Sequence, residues 1–344
     1  MGLKSYLTKR VIYMIFLVWF VLTLNFIIFE VMPGNPLEFF AGRPGSLTPE
    51  RVEELKRIWG FYDPMHVKYF RYIQNMLTLQ FGTSARSGKA VSVIIREALP
   101  NTFLLMGLST LISIVLGILT GAIAAYKRGG KTDSALVVGS LVTYSLPTFW
   151  MGMIFLIIFG LYLGWFPIGK TVSYWPEYPS GFPPPLFQTQ ILSWNLAIPS
   201  LEELVNRLWH LTLPCATLVL FQYGGFLLLT RATMMEALSE DYILTARAKG
   251  VKERVVIFKH ALKNASLPII TSAAISFGFM LSGAIITETV FSWPGLGGLI
   301  WRAIQLYDYP ILHVVFYVIA LCVIIANFIA DLLYGVIDPR ITYG

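Results

Sequence analysis

Gly164, Gly169, Lys170 and Thr171 fit the spacing Gly-x-x-x-x-Gly-Lys-Thr, in which backbone amides and a lysine cradle the phosphates of a nucleotide. That chemistry needs a preceding strand and a following helix whose amino end points at the phosphates. Here the stretch follows a long apolar block, contains Pro167 and runs into Tyr174-Trp175-Pro176, so the match is one of spacing alone. The four histidines, His66, His210, His260 and His313, are scattered without paired spacing, which favours loop or helix-end positions over a metal site. Cys215 and Cys322 lie inside apolar blocks, far from any Cys/His cluster of ligand spacing, and read as small packing residues. No positioned nucleophile or acid–base pair is visible either. The expectation is a chain with no catalytic residue, no metal and no cofactor of its own.

The remaining polar groups of interest sit in apolar surroundings. Glu30, Arg231, Glu288 and Asp331 fall near the ends of apolar blocks, where snorkelling to the interface is the expected behaviour. Asn25, Ser113, Thr143, Ser145, Gln222 and Ser276 lie inside such blocks. They could line a water-filled path, or tie helices together by hydrogen bonds. With no ionisable residue deep in a block, a proton-driven carrier is disfavoured.

The elements that must position these groups follow from composition. Of 344 residues, 56% are hydrophobic and 13% charged, and the apolar residues fall in long unbroken blocks. A soluble chain carries roughly 25% charge, so the bilayer is the solvent here. A helix rises about 1.5 Å per residue and needs about 20 apolar residues to cross the hydrocarbon core. Six blocks reach that length, near 11–31, 101–125, 135–163, 211–230, 268–291 and 312–336. Pro100 is expected to open the second, and Pro214 and Pro268 to lie in first turns. Gly117 with Gly121, and Gly160 with Gly164, would let helices approach closely. The first block is too long for a signal peptide and lacks an Ala-x-Ala site after it, so it reads as a retained span.

Basic residues in short loops mark the cytoplasmic side. They gather before the first block (Lys4, Lys9, Arg10), after the second (Lys127, Arg128, Lys131) and between the fourth and fifth (Arg231, Arg247, Lys249, Lys252, Arg254, Lys259, Lys263). Six spans with both termini cytoplasmic are the result. The net charge of +7 is thereby assigned to loops, and with no basic stripe among exposed aromatics, nucleic acid is excluded as a partner.

The segment Arg231 to Leu267 is far longer than a turn requires. Its pattern predicts two short helices, one near Asp241 to Lys249 stopped by Gly250, and a second over Glu253 to Leu262 with one apolar face. The stretches Glu240-Asp241-Tyr242, Thr245-Ala246-Arg247-Ala248-Lys249-Gly250 and His260-Ala261-Leu262-Lys263-Asn264-Ala265 resemble the cytoplasmic coupling loop of permease subunits of ABC importers for oligopeptides, dipeptides and nickel. The resemblance extends through Glu288-Thr289-Val290-Phe291-Ser292-Trp293-Pro294-Gly295-Leu296-Gly297, Asp308-Tyr309-Pro310 and Asp338-Pro339-Arg340. It also covers Pro33-Gly34-Asn35-Pro36, Phe81-Gly82-Thr83-Ser84 and Ser145-Leu146-Pro147-Thr148-Phe149-Trp150, and so nearly the whole chain. The chain departs from the wider superfamily motif: Leu244 and Thr245 stand where Glu and Ala would be, and the interval from Gly250 to Pro268 is longer by five residues.

The resemblance implies an all-α membrane fold of the type I importer class and a role as half of a translocation path. It implies a homologous permease as partner in a heterodimer, two ATPase subunits holding ATP and Mg, an external solute-binding protein, and the lipid of a prokaryotic inner membrane. Glu240, Asp241, Tyr242, Ala246, Arg247, Ala248 and Gly250 become the expected ATPase-coupling residues, with the small residues seating in a partner's cleft. The expected domains are 1–31, ending with the first span; an external lobe, 32–97; and a transmembrane domain, 98–336, carrying an insertion, 166–207, and the coupling loop, 236–264. A charged helix from Thr48 to Trp59 is expected in the lobe, with Thr48 as N-cap. The insertion, with Tyr178-Pro179 and Phe182-Pro183-Pro184-Pro185, suits an interfacial aromatic belt or a binding-protein contact better than a solute contact. Peptide is the first choice of solute, oligosaccharide the second and nickel the third. A secondary transporter or a membrane-embedded enzyme is the alternative.

Overall fold

A computed structural model of the chain describes residues 3–31, 50, 53, 62–173, 187–191, 194–198, 200–279 and 284–337. The predicted helix from Thr48 to Trp59, the Pro- and aromatic-rich runs from Tyr174 to Pro185, and Asp338-Pro339-Arg340 lie essentially outside them. The described chain forms two compact units, one of residues 1–100, 277–283 and 295–344, the other of residues 101–276 and 284–294.

In the first unit, α1 (Leu3–Val31) is apolar around its whole circumference and packs along α11 (Tyr309–Ile337). The amphipathic α2 (Met65–Leu77) lies against α1 through Tyr69 and Tyr72, three residues apart on one face. Thr23 Oγ1 meets Tyr69 Oη at 2.7 Å, and Asn25 Nδ2 donates to Tyr72 Oη and to the His313 carbonyl, each at 2.9 Å. Burial pushes the Tyr72 phenol above its ordinary range. The turn Gly82 to Val91, closed by a bridge between Thr83 and Ala90, brings Ser84 Oγ and the Ala85 amide onto the buried Asp308 carboxylate. Asp308 directly precedes α11, which follows α10 (Leu296–Leu306).

The second unit is built on α6 (Leu201–Leu238), opened by Ser200, whose hydroxyl accepts the Glu203 amide. The long helix α3 (Val91–Tyr126) crosses it at glycines: a Cβ on Gly117 would stand 2.3 Å from Phe226 Cβ, and one on Gly121 would stand 2.6 Å from the Leu227 carbonyl oxygen. On the other side, α4 (Lys131–Ser145) packs where Gly224 faces the Ser140 carbonyl. After a 97° bend the chain continues as α5 (Thr148–Phe155) and a π-helical stretch, Leu156–Tyr162. Two strands, β1 (Phe187–Ile191) and β2 (Trp194–Ile198), pair antiparallel before α6. Beyond it come α7 (Asp241–Ala248), then Glu253–Val255 and a π-helical Val256–Ala261 running unbroken into α8 (Leu262–Phe279), and α9 (Ile285–Val290).

Several expectations change. Among the described residues four helices, α1, α3, α6 and α11, hold stretches long and apolar enough to cross a membrane, and the bent pair is a fifth candidate. The block 268–291 is divided between α8 and α9, with residues 280–283 outside the described residues. The all-α class holds, with one addition that was not expected, the hairpin: Phe-Gln-Thr-Gln-Ile alternates with period two, a strand signal that the Pro-rich neighbourhood obscures. Pro100, Pro214 and Pro268 all lie inside helices, because α3, α6 and α8 begin in polar sequence well before the apolar part. The Gly160–Gly164 pair is no contact seam, since Gly164 has open space around it and takes φ +62° to end the π-helical stretch. The phosphate-loop look-alike follows that stretch rather than a strand, and among the described residues, to Ser173, it opens no helix.

At Gly117 and Gly121 the first atom of any side chain collides with α6. Gly121→Val is expected to destabilise the protein by roughly 1–3 kcal/mol or more, by overpacking. Gly139→Ala, where a Cβ meets nothing within 4 Å, is the matched control. Thermal unfolding in detergent, followed by size-exclusion chromatography, should separate the two.

Candidate functional site

The α7 segment is a short helix held from one side. Ile243 and Ala246 face a core formed by Met234 and Ala237 of α6, Val256, Ile257 and Ala261 of the π-helical stretch, Ala265 of α8, and Ala122 and Ala125 of α3. Its start is the extended Glu240, and its end is Gly250 at φ +73°, whose amide returns to the Arg247 carbonyl at 2.9 Å. The Val251 amide binds the Ala246 carbonyl at 3.2 Å, so the turn after the helix is closed twice. Arg247 spans that turn with a 2.7 Å ion pair to Glu253, which raises the guanidinium pKa further. The end of the helix is therefore fixed to the segment that leads into α8.

Of the residues expected to couple, Ala246 is buried in this core and Tyr242 is half-buried, whereas Glu240, Asp241, Arg247, Ala248 and Gly250 are exposed. The outward surface is led by Leu244, 69% exposed, with Thr245 and Ala248 beside it. In the sequence Leu244 stands out only as a departure from the superfamily motif. Helical period supplies the missing signal, because Ile243 and Ala246 define the inner face and Leu244 falls opposite.

The six candidate pathway residues do not gather. Asn25, in the first unit, is buried and bonded to Tyr72 and the His313 carbonyl. Ser113 is fully buried on α3, donating to the Ser109 carbonyl at 2.7 Å. Thr110 Oγ1 donates to Gln222 Oε1 at 3.3 Å, tying α3 to α6. Thr143 and Ser145 donate to the Ser140 and Val142 carbonyls of their own helix, and Ser276 donates to Ser272 within α8. Only Ser145 is exposed, at the bend between α4 and α5.

Two charged groups expected to snorkel are instead built into the second unit. Glu288 is fully buried on α9 and accepts the Thr102 hydroxyl at 2.8 Å. The neighbouring Trp293, 1% exposed, donates its indole N–H to the Asn101 carbonyl, while the Asn101 amide donates to the Pro294 carbonyl. Arg231 makes a two-bond contact with Asp133, at 2.6 and 2.8 Å, and the Gly129 amide also donates to that carboxylate. Spacing gives no warning of either pair, whose members are separated by 186 and 98 positions. His210 is likewise buried in α6, with Nδ1 at 2.9 Å from the Asn206 carbonyl, which corrects the expectation of a loop or helix-end position. His313 sits near the start of α11, against the Phe29 ring at 4.6 Å.

Long apolar helices and buried polar groups committed to helix ties describe an integral membrane protein. Comparison with known proteins agrees: the model of the binding-protein-dependent transport system inner membrane component matches residues 117–343, and that of its N-terminal membrane component matches residues 3–106. The chain belongs to this family of inner membrane transport components. It is 33% identical to the oligopeptide transport system permease protein AppB of Bacillus subtilis, over 99% of this chain and all of the relative. It is 33% identical to the di/tripeptide transport system permease protein DppB of Pseudomonas aeruginosa, over 98% of this chain and 99% of the relative. To the dipeptide transport system permease protein DppB of Escherichia coli K12 the identity is 34%, over 93% of both chains. The protein is accordingly a multi-pass membrane permease component.

Arg231→Ala leaves a carboxylate that is 6% exposed and should cost about 1–3 kcal/mol, whereas Asp133→Ala leaves a guanidinium that is 25% exposed and should cost about 1 kcal/mol. The double variant should lose less than the sum, which thermal unfolding of the four proteins in one double-mutant cycle would reveal.

Proposed function

We propose that the chain forms one half of the membrane path of an ATP-driven importer of short peptides, with α7 as the contact through which ATP hydrolysis in separate subunits moves the path. The observation that carries this reading is the form of α7. Its inner face is packed on α6 and α8, its turn is closed by two backbone hydrogen bonds and an ion pair, and its outer face exposes Leu244. A lever needs that stiffness, since slack at the joint would absorb the motion it must transmit. The names of the full-length relatives support peptide as the solute.

The proposed arrangement has six spans, drawn from α1, α3, the α4–α5 pair, α6, the α8–α9 region and α11, with both termini in the cytoplasm. The distribution of lysine and arginine supports that orientation. The lobe 32–97 and the insertion 166–207 then face outward, toward an external solute-binding protein. The partners are a homologous permease, forming a heterodimer, and two ATPase subunits that hold ATP and Mg. Among the coupling residues, Glu240, Asp241, Arg247 and Ala248 form the outward rim. Ala246 and Gly250 set the position and end of the lever, and Tyr242 packs beside its root.

Purification on a tagged form of this chain, co-expressed with its neighbouring subunits and binding protein, is the test. An ATPase subunit should co-purify, and tri-alanine should stimulate hydrolysis where maltotriose and Ni²⁺ do not. Leu244→Asp should preserve the fold of the chain while lowering ATPase retention at least about tenfold, as expected for removing an apolar anchor from an interface. Loss of all ATPase association under gentle extraction of the unaltered chain would move a secondary transporter to first place. Stimulation by maltotriose alone would replace peptide with oligosaccharide.

A further inference from the structure

The bend between α4 and α5 lies at Ser145-Leu146-Pro147 and turns the chain by 97°. Pro147 has no amide hydrogen and drives the residue before it out of the helical region, and Leu146 is extended at φ −77°, ψ 134°. Each half of the pair is 15 residues, about 22 Å, too short to cross a hydrocarbon core of roughly 30 Å alone. Since α4 starts at Lys131, just after Lys127 and Arg128, the break falls roughly two-thirds of the way across if α4 is upright.

Broken backbone at that depth is not stable against lipid, because the last carbonyls of a helix have no helical partners and hydrocarbon offers none. It must be covered by protein or face a wet cavity. The Val142 carbonyl accepts the Ser145 hydroxyl at 3.0 Å, and among the described residues no backbone amide of another element reaches the carbonyls from Thr143 to Leu146. The groups around the break are exposed and partly polar: Ser145, Pro147, and Tyr144 at 56%. The Tyr144 ring is stacked on Phe221 of α6, centroids 5.5 Å apart and 13° from parallel, one turn beyond the tight Ser140–Gly224 crossing. Gln222 adjoins Phe221, and Gly225 leaves its side of α6 open.

We infer that this break is a solute-contact site on the translocation path, where helix-end carbonyls accept the N–H groups of an extended peptide and the Tyr144–Phe221 stack receives its side chains. The inference rests on the proposed permease function and deepens it. The chemistry suits a ligand with repeating amide donors and variable apolar groups, because backbone acceptors are indifferent to side-chain identity. It suits Ni²⁺ poorly, since the break offers neither imidazole nor thiolate.

The test uses the assembled, ATP-hydrolysing complex in membrane vesicles, with Cys215→Ala and Cys322→Ala as background and Ser145→Cys as the probe. A charged, membrane-impermeant thiol reagent should modify Ser145→Cys with the path open to the reagent's side, and tri-alanine with binding protein should slow that reaction. Ser113→Cys, on a fully buried side chain, should stay unmodified. Modification by a lipid-soluble maleimide alone would place the break against lipid, and modification by neither reagent would place it under protein. Either result overturns the inference while leaving the permease function intact, because the complex would still couple ATP to uptake. If Ser145→Cys does not assemble, Tyr144→Cys is read the same way. In parallel, Tyr144→Ala should raise the peptide concentration for half-maximal uptake about tenfold, the loss of one aromatic contact. Tyr144→Phe should restore it, and an unaltered half-maximal concentration in Tyr144→Ala would also overturn the inference.

Discussion

The second unit depends on the continuity of α6. α3, α4, α5, α7 and α9 all pack on this helix, which runs 38 residues from Leu201 to Leu238 without a break. Water is absent from the hydrocarbon core, so a helix that satisfies its own backbone is the cheapest element that can cross it. Hydrophobicity cannot then hold helices together, because lipid tails are as apolar as leucine, and contact must come from close packing. Gly117, Gly121 and Gly224 supply it by letting backbone meet backbone or Cβ. The crossing fixes α3 and α4 to one rod, and the same rod ends in Met234 and Ala237 under α7.

Polar groups in this setting are committed rather than dispersed. Asn25, Thr110 with Gln222, and Thr102 with Glu288 each spend their hydrogen bonds on a neighbouring element of their own unit. A lost partner would leave a buried group unsatisfied, at a cost of about 1–3 kcal/mol. Such ties select one packing among many that lipid would tolerate equally. They also explain why polarity inside an apolar block is an ambiguous sign of a pathway: Ser113 and Asn25 look alike in sequence to Ser145, and of these three only Ser145 is exposed.

Most of the helical framework was legible because a transmembrane block announces itself by length and composition. The blocks near 11–31, 101–125, 211–230 and 312–336 each fall inside one helix. Their true starts were not legible, since α3 and α6 begin in amphipathic sequence that hydropathy does not register. The break at Leu146-Pro147 was visible as a proline but not as a bend, because Pro100, Pro214 and Pro268 are all absorbed by helices. What separates them is context: the segment before Pro147 has only the last turn of α4 to leave, and α5 re-packs on α6 and α9 after the turn. Glu288 with Thr102 and Asp133 with Arg231 were invisible for a different reason. Long-range pairing is a property of the assembled helices, and a single sequence carries no register between them.

The same packing bears on how α7 would act in the coupling role proposed for it. A lever transmits motion only if displacing its outer face costs more than moving the body behind it. Here Ile243 and Ala246 are sealed into a core that includes α3, α6 and the root of α8, while Gly250 and the Arg247–Glu253 pair close the turn after the helix. A push on Leu244 therefore cannot be absorbed by rotating α7 alone. The unbroken run from Glu253 through the π-helical stretch into α8 gives the displacement a second route besides α6. A π-helical stretch inside an α-helical run is rare and often marks a functional position. Under the proposed coupling role of α7, the stretch Val256–Ala261, between that helix and α8, is where the second route would flex.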